Sequence, residues 1–144
     1  MSAEPAALRT WHHVVRTKDA NLLDGLLADD VVFRSPAVFA PQQGKAITTM
    51  YLTAALYVLG PTLRYTHEWH DESSAVLEFT ADLDGISVHG VDMLLWDDND
   101  RLTGFTVMVR PIRGLEQLIV QMSERLSLLS GAPRGAHDDG PGAG

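Results

Sequence analysis

The chain has 144 residues, 45% hydrophobic and 21% charged, a composition ordinary for one globular domain over residues 1–130. A formal charge of −8 leaves no basic stripe to meet phosphates, which excludes a nucleic-acid binder, and the lack of cysteine excludes disulfides and thiolate chemistry. MSAEPAALRTWHH has no basic region followed by an apolar run, and no apolar stretch reaches bilayer length, so the expected setting is the cytoplasm with no membrane partner.

Ser2 and Pro5 can open a first helix, with Leu8, Trp11 and Val15 on one face through about Lys18. Asp19 can cap a second, whose buried side is Leu22, Leu23, Leu26 and Leu27. Asp29-Asp30 ends it, and VVFRSP (31–36) reads as a short strand closed by Pro36. The stretch 37–44 holds a proline and a glycine and reads as a loop. A third helix is expected from Lys45 to Leu59, stopped by Gly60-Pro61.

Beyond Pro61 the period changes to two. LRYTHEWHD (63–71) alternates Leu63, Tyr65, His67 and Trp69 against Arg64, Thr66, Glu68 and His70, and AVLEFTADL (75–83) follows in the same style. Asp84-Gly85 signals a two-residue hairpin into ISVHGVDMLLW (86–96), and the polar turn DDND leads to RLTGFTVMVRP (101–111). These segments form an antiparallel meander. LEQLIVQMSERLSLL (115–129) is an amphipathic helix, and the Gly/Pro-rich end over 131–144 reads as a disordered tail. Helices followed by a meander make an α+β fold, with the helices covering one sheet face and an apolar pocket between the layers.

Asp92 stands out within its strand. An unpartnered buried carboxylate is costly, so the residue is on a wet face, paired, or kept protonated. Alternation groups it with Val88, Leu94 and Trp96, the drier set, while Phe105, Val107 and Val109 form the inward set of the last strand. Asp92 is therefore expected to point into the pocket, roughly opposite Phe105, with its pKa raised by desolvation.

The order of elements, with D-x-x-x-L-x-x-L-L-A-D-D-V-V-F (19–33), the Gly44-anchored third helix and G-V-D-M-L-L-W-D-D-N-D-R-L (90–102), resembles the nuclear-transport-factor-2-like superfamily. That group includes ketosteroid isomerases, SnoaL-type polyketide cyclases, limonene-epoxide hydrolases and scytalone dehydratases. The resemblance covers roughly residues 5–115 and implies a cone in which a curved antiparallel sheet is wrapped by N-terminal helices, here with an additional C-terminal helix. It implies for Asp92 the part of a protonated acid in an oxyanion hole, a role known in ketosteroid isomerase. The isomerase pattern puts a tyrosine where this chain has Trp11 and a general-base aspartate where it has Ser35. Serine at neutral pH does not abstract a carbon-bound proton unaided, so the standard isomerase set is incomplete. The epoxide-hydrolase pattern wants an arginine where Gly90 stands. The SnoaL-like cyclases, which need an acid and a shaped cavity, fit with least conflict, so the resemblance implies a small steroid- or polyketide-like ligand.

Among the other candidates, His67 shares a face with Tyr65 and Trp69 and could supply the base that Ser35 cannot. Tyr51 and Tyr57 on the third helix, with Trp69, Phe79 and Trp96 on the strands, are expected to line the pocket beside Trp11, Ser35, Phe105 and Val107. His67 and His70 fall on opposite faces and His12 and His13 diverge by about a hundred degrees, so no metal site and no cofactor are expected. The outward set His89, Met93 and Leu95 is too apolar to stay exposed and suggests a homodimer. A non-catalytic binding or dimerisation module is the competing reading.

Overall fold

A computed structural model describes residues 3–130. The Ser2 cap and the tail expected over 131–144 lie outside these described residues. Helix α1 (Ala6–Thr17) begins after Pro5, whose φ of −61° suits a helix entrance, and ends at Lys18 in the left-handed region. Its buried side is Ala7, Leu8, Trp11 and Val14.

The expected second helix is cut to one turn. Asp19 accepts from Asn21 N at 3.0 Å and starts a 3₁₀ turn, Ala20–Leu22, followed by α2 (Leu23–Leu26). Leu27 already belongs to strand β1 (Leu27–Arg34), so the strand takes residues that leucine spacing assigned to a helix. Tertiary pairing overrides helix propensity here, because β1 adds to the sheet beside the final strand. Strand β2 (Gln42–Gln43) is a short antiparallel edge on β1.

Helix α3 (Lys45–Leu59) has the expected limits. It starts from Gly44, whose φ of +106° disfavours any other residue, and Gly44 N donates to Val31 O at 2.8 Å. The meander follows as β3 (Arg64–His70), β4 (Ser74–Leu83), β5 (Ile86–Trp96) and β6 (Leu102–Arg110). The Asp84-Gly85 turn has φ of 52° and 86°, the two positive values that a primed hairpin turn requires. Asp97 Oδ1 accepts from Asn99 N and Arg101 N to shape the next turn. Helix α4 (Ile112–Leu129) closes the described chain.

The strands form one open sheet in the order β2-β1-β6-β5-β4-β3. The meander is antiparallel as expected, but β1 runs parallel to β6, so the whole sheet is mixed. On β5, Val88, Gly90, Asp92, Leu94 and Trp96 are buried while Ser87, Met93 and Leu95 are exposed. Asp92 pairs with Val107, and Leu94 takes the place opposite Phe105, two residues from the expected register. The parity of the strand is unchanged by this shift, so the inward set stays inward.

Strand β3 departs from strict alternation. Tyr65 pairs with Phe79 and His67 with Glu78, so two steps on β3 match one step on β4. Thr66 is the extra residue of a β-bulge. Beyond it the faces exchange, and His67 and Trp69 turn to the outer surface.

Candidate functional site

The cavity between the helices and the inner sheet face has a volume of about 400 Å³. Trp11 and Val15 of α1 form one wall, and Tyr51, Leu52 and Leu56 of α3 form another. Phe33, Phe105 and Val107 supply the sheet side, and Leu118, Met122 and Leu126 of α4 close over them. The mouth includes Ser35 through Val38 on one rim and Ser123 on the other.

In this apolar setting sits one carboxyl. Asp92 is 6% exposed, and its Oδ2 accepts from the Tyr65 hydroxyl at 2.5 Å. Its Oδ1 has no hydrogen-bond partner among the described residues, and Asp92 is part of the cavity wall. Burial pushes its pKa up from the ordinary 3.8 to about 7, with the Tyr65 bond pulling the other way. The neutral and ionised forms are therefore both accessible near neutral pH.

Tyr65 is itself held. Trp11 Nε1 donates to its hydroxyl oxygen at 3.0 Å, and Trp11 is only 3% exposed, with its ring edge against Phe105 at 4.9 Å. Burial, followed by the Asp92 charge, raises the Tyr65 pKa well above its ordinary value of 10. The phenol is thus a fixed donor rather than a second acid. Behind it, the His12 ring stands edge-on to Tyr65 and bonds Glu68 at 2.6 Å.

Trp11, Ser35, Tyr51, Phe105 and Val107 are all brought to the cavity with Asp92. Tyr51 stacks on Phe33 at 5.2 Å. Ser35 Oγ accepts from Ala37 N and Val38 N, which makes it the hinge of the rim turn. Trp11 lines the wall, but its N–H is committed to Tyr65.

The other expected residues are elsewhere. His67 is on the outer face, its side chain 66% exposed, bonded to Glu78 at 2.8 Å and stacked on Trp69. It cannot serve a ligand in the cavity, because the Thr66 bulge turns it outward. Trp69 is outside for the same reason and is 57% exposed. Tyr57 points away from the cavity, under the Arg125 guanidinium at 3.6 Å from its ring centre, and ties α3 to α4. Phe79 and Trp96 are buried in the core, Phe79 against Gly90 and Trp96 donating from Nε1 to Glu72 O at 2.9 Å.

Tyr65 is the residue the sequence reading missed, together with the α4 contribution. A signal existed, because a buried tyrosine hydroxyl and a buried carboxyl each need a partner, and these two lie on adjacent parts of one meander. Where no metal cluster was expected, Glu4, His12 and Glu68 bring ligand-type atoms within 4.8 Å of one another. His12 Nε2 lies 2.6 Å from Glu68 Oε1 and 3.8 Å from Glu4 Oε2 at this partly solvated site.

No protein-family model matches the chain, and no curated protein sequence does so either. Solved structures do. A steroid delta-isomerase from Pseudomonas aeruginosa is 36% identical, with a TM-score of 0.83 over 88% of this chain and 93% of that one. A bacterial protein with a cystatin-like fold from Silicibacter pomeroyi is 24% identical, with a TM-score of 0.77 over 83% of this chain and 84% of its own. A nuclear-transport-factor-2-like protein of unknown function from Mesorhizobium loti is 20% identical, with a TM-score of 0.64 over 73% and 88%.

Proposed function

Because the chain belongs to the nuclear-transport-factor-2-like superfamily, we propose that it binds a small hydrophobic carbonyl compound, steroid- or polyketide-like, and performs acid–base chemistry on it through Asp92. The observation that carries this reading is the buried Asp92 carboxyl in the wall of an apolar cavity, with Oδ2 held by Tyr65 and Oδ1 without a hydrogen-bond partner among the described residues. As a neutral acid, Asp92 donates to the carbonyl oxygen and stabilises the enolate as charge develops there. Tyr65 and Trp11 hold the carboxyl in place, so little reorganisation is needed. Among the described residues no other carboxyl and no histidine lines the cavity, so removal of a carbon-bound proton falls to water entering at the mouth while Asp92 stays neutral.

The 36% identical steroid delta-isomerase supports a steroid-like ligand, and Trp11 and Ser35 set this chain apart from the isomerase pattern. A thermal-shift screen of steroids, polycyclic aromatic ketones and acyl chains tests the ligand class. Stabilisation by the first two at concentrations about a hundredfold above Kd should approach about 2.7 kcal/mol. A flat response to every apolar ligand refutes the reading. Turnover of the ligand found, compared between the wild type and Asp92→Asn, tests the chemistry. Unchanged turnover with weakened binding would leave a non-catalytic binding module. That second reading is favoured by the absence, among the described residues, of a second carboxyl or a histidine on the wall.

We also propose that a second copy of the chain covers the outer sheet face. Trp69, Met93, Leu95 and Met108 are exposed there, a patch too apolar for a free surface. Analytical ultracentrifugation of the wild type and Leu95→Glu tests this proposal, with a dimer expected for the first and a monomer for the second. A monomeric wild type refutes it.

A further inference from the structure

We propose that Asp92 Oδ1 selects ligands by hydrogen-bonding character, taking a ketone when it carries a proton and favouring a hydroxyl when it does not. This deepens the ligand-binding reading above and rests on it.

The argument starts at Trp11. An indole N–H can only donate, so the Trp11–Tyr65 bond has one direction. The Tyr65 oxygen receives it, and the single Tyr65 proton goes to Asp92 Oδ2. A tyrosine in place of Trp11 could reverse the chain, but tryptophan cannot. All donors therefore run toward Asp92 and end there. The atom left for a ligand is Oδ1, and its character depends on the protonation of Asp92 alone.

Little else near the carboxyl titrates. Among the described residues, Tyr65 from β3 and Tyr51 from α3 are the other titratable residues of the cavity wall. The walls from β6 and α4 present apolar groups and Ser123. Behind Tyr65, His12 bonds Glu68 at 2.6 Å, with Glu4 3.8 Å from the same ring nitrogen. Burial against the Tyr65 bond leaves the Asp92 pKa at about 7, so a modest pH change exchanges one form for the other.

The two ligand types respond differently. A ketone oxygen only accepts, so it needs the neutral acid and is repelled by the anion. A hydroxyl donates to the anion in a charge-assisted bond and accepts from the neutral acid, so it is retained in both forms.

The test uses two ligands of one fused bicyclic skeleton, 2-tetralone and 2-naphthol, titrated calorimetrically from about pH 5.5 to about pH 8.5, a range that spans the Asp92 transition. The tetralone affinity should fall by up to about tenfold per pH unit above about 7, while the naphthol affinity holds or rises. In Asp92→Asn both profiles should be flat. In Trp11→Phe the tetralone fall should move to higher pH, because Tyr65 loses the donor that strengthens its own proton. Tyr65→Phe should move it in the same direction, whereas a purely packing role for Trp11 would leave the Trp11→Phe profile where the wild type has it. Parallel profiles for the two ligands in the wild type overturn the selector. Failure of both ligands to bind at any pH overturns the ligand reading instead.

Discussion

Replacing Asp92 by asparagine keeps the side-chain shape and removes its charge, which gives a direct measure of what burial costs. In the unfolded chain the carboxyl titrates near its ordinary value of 3.8, and in the folded chain near 7. Below about pH 4 it is protonated in both states and carries no penalty. Between about 4 and 7 only the unfolded chain releases the proton, so the fold loses stability as pH rises, and above about 7 the loss levels off. At about 1.36 kcal/mol per pH unit, a displacement from 3.8 to about 7 amounts to about 4 kcal/mol. Asp71 and Glu78 act in the opposite sense. Bonds led by Ser73 N on Asp71 and by His89 on Glu78 hold both below the ordinary range, so they favour the fold above their unfolded values and lose that as pH falls. The difference between variant and wild type cancels them. In urea denaturation, Asp92→Asn should exceed the wild type by about 2–4 kcal/mol at pH 8 and by less than about 1 kcal/mol at pH 4. A variant less stable than the wild type at pH 8, or a difference that does not change with pH, refutes a desolvated carboxyl.

Tyr65→Phe strands the Trp11 N–H and removes the donor on Asp92, so it should cost about 1–3 kcal/mol in denaturation. The same change should raise the Asp92 pKa further, because the bond that pulls it down is gone, read from the carboxyl carbon by NMR. Gly90→Ala should destabilise by about 3 kcal/mol in the same assay, because a Cβ there would lie 2.4 Å from Met108 O and 2.8 Å from Phe79 Cζ. His67→Ala should leave calorimetric ligand affinity unchanged and alter stability by less than about 1 kcal/mol, since its only ties are on the outer surface.

Much of the architecture was legible because it depends on periodicity and on a few turn residues. Gly44 and the Asp84-Gly85 pair mark their elements through local backbone needs, and Pro61 stops the helix, so α3 and the β4–β5 hairpin could be read directly. The inward direction of Asp92 follows from parity, which survives the two-residue shift that places it opposite Val107. What escaped the reading depends on distant pairing. Leu27 is a good helix residue that β6 recruits into a strand. His67 was assigned to the cavity because alternation assumes no insertion, and a bulge has no dependable local signature. Tyr65 was passed over because its importance comes from Trp11, 54 residues earlier, and Asp92, 27 residues later. The cover provided by α4 depends equally on helix placement.

The bulge at Thr66 also governs where the first wall of the cavity stands. Inward residues on β3 are Tyr65 and Glu68, three apart rather than two, and they reach the consecutive residues Trp11 and His12 of α1. β3 is an edge strand, and its bulge lets both residues meet the helix that the two bonds hold. Cavity width is thus written as a residue count in an edge strand and not only as the size of the side chains that line it. A change in length at position 66 would move α1 bodily, altering the room for a ligand while every lining residue kept its identity.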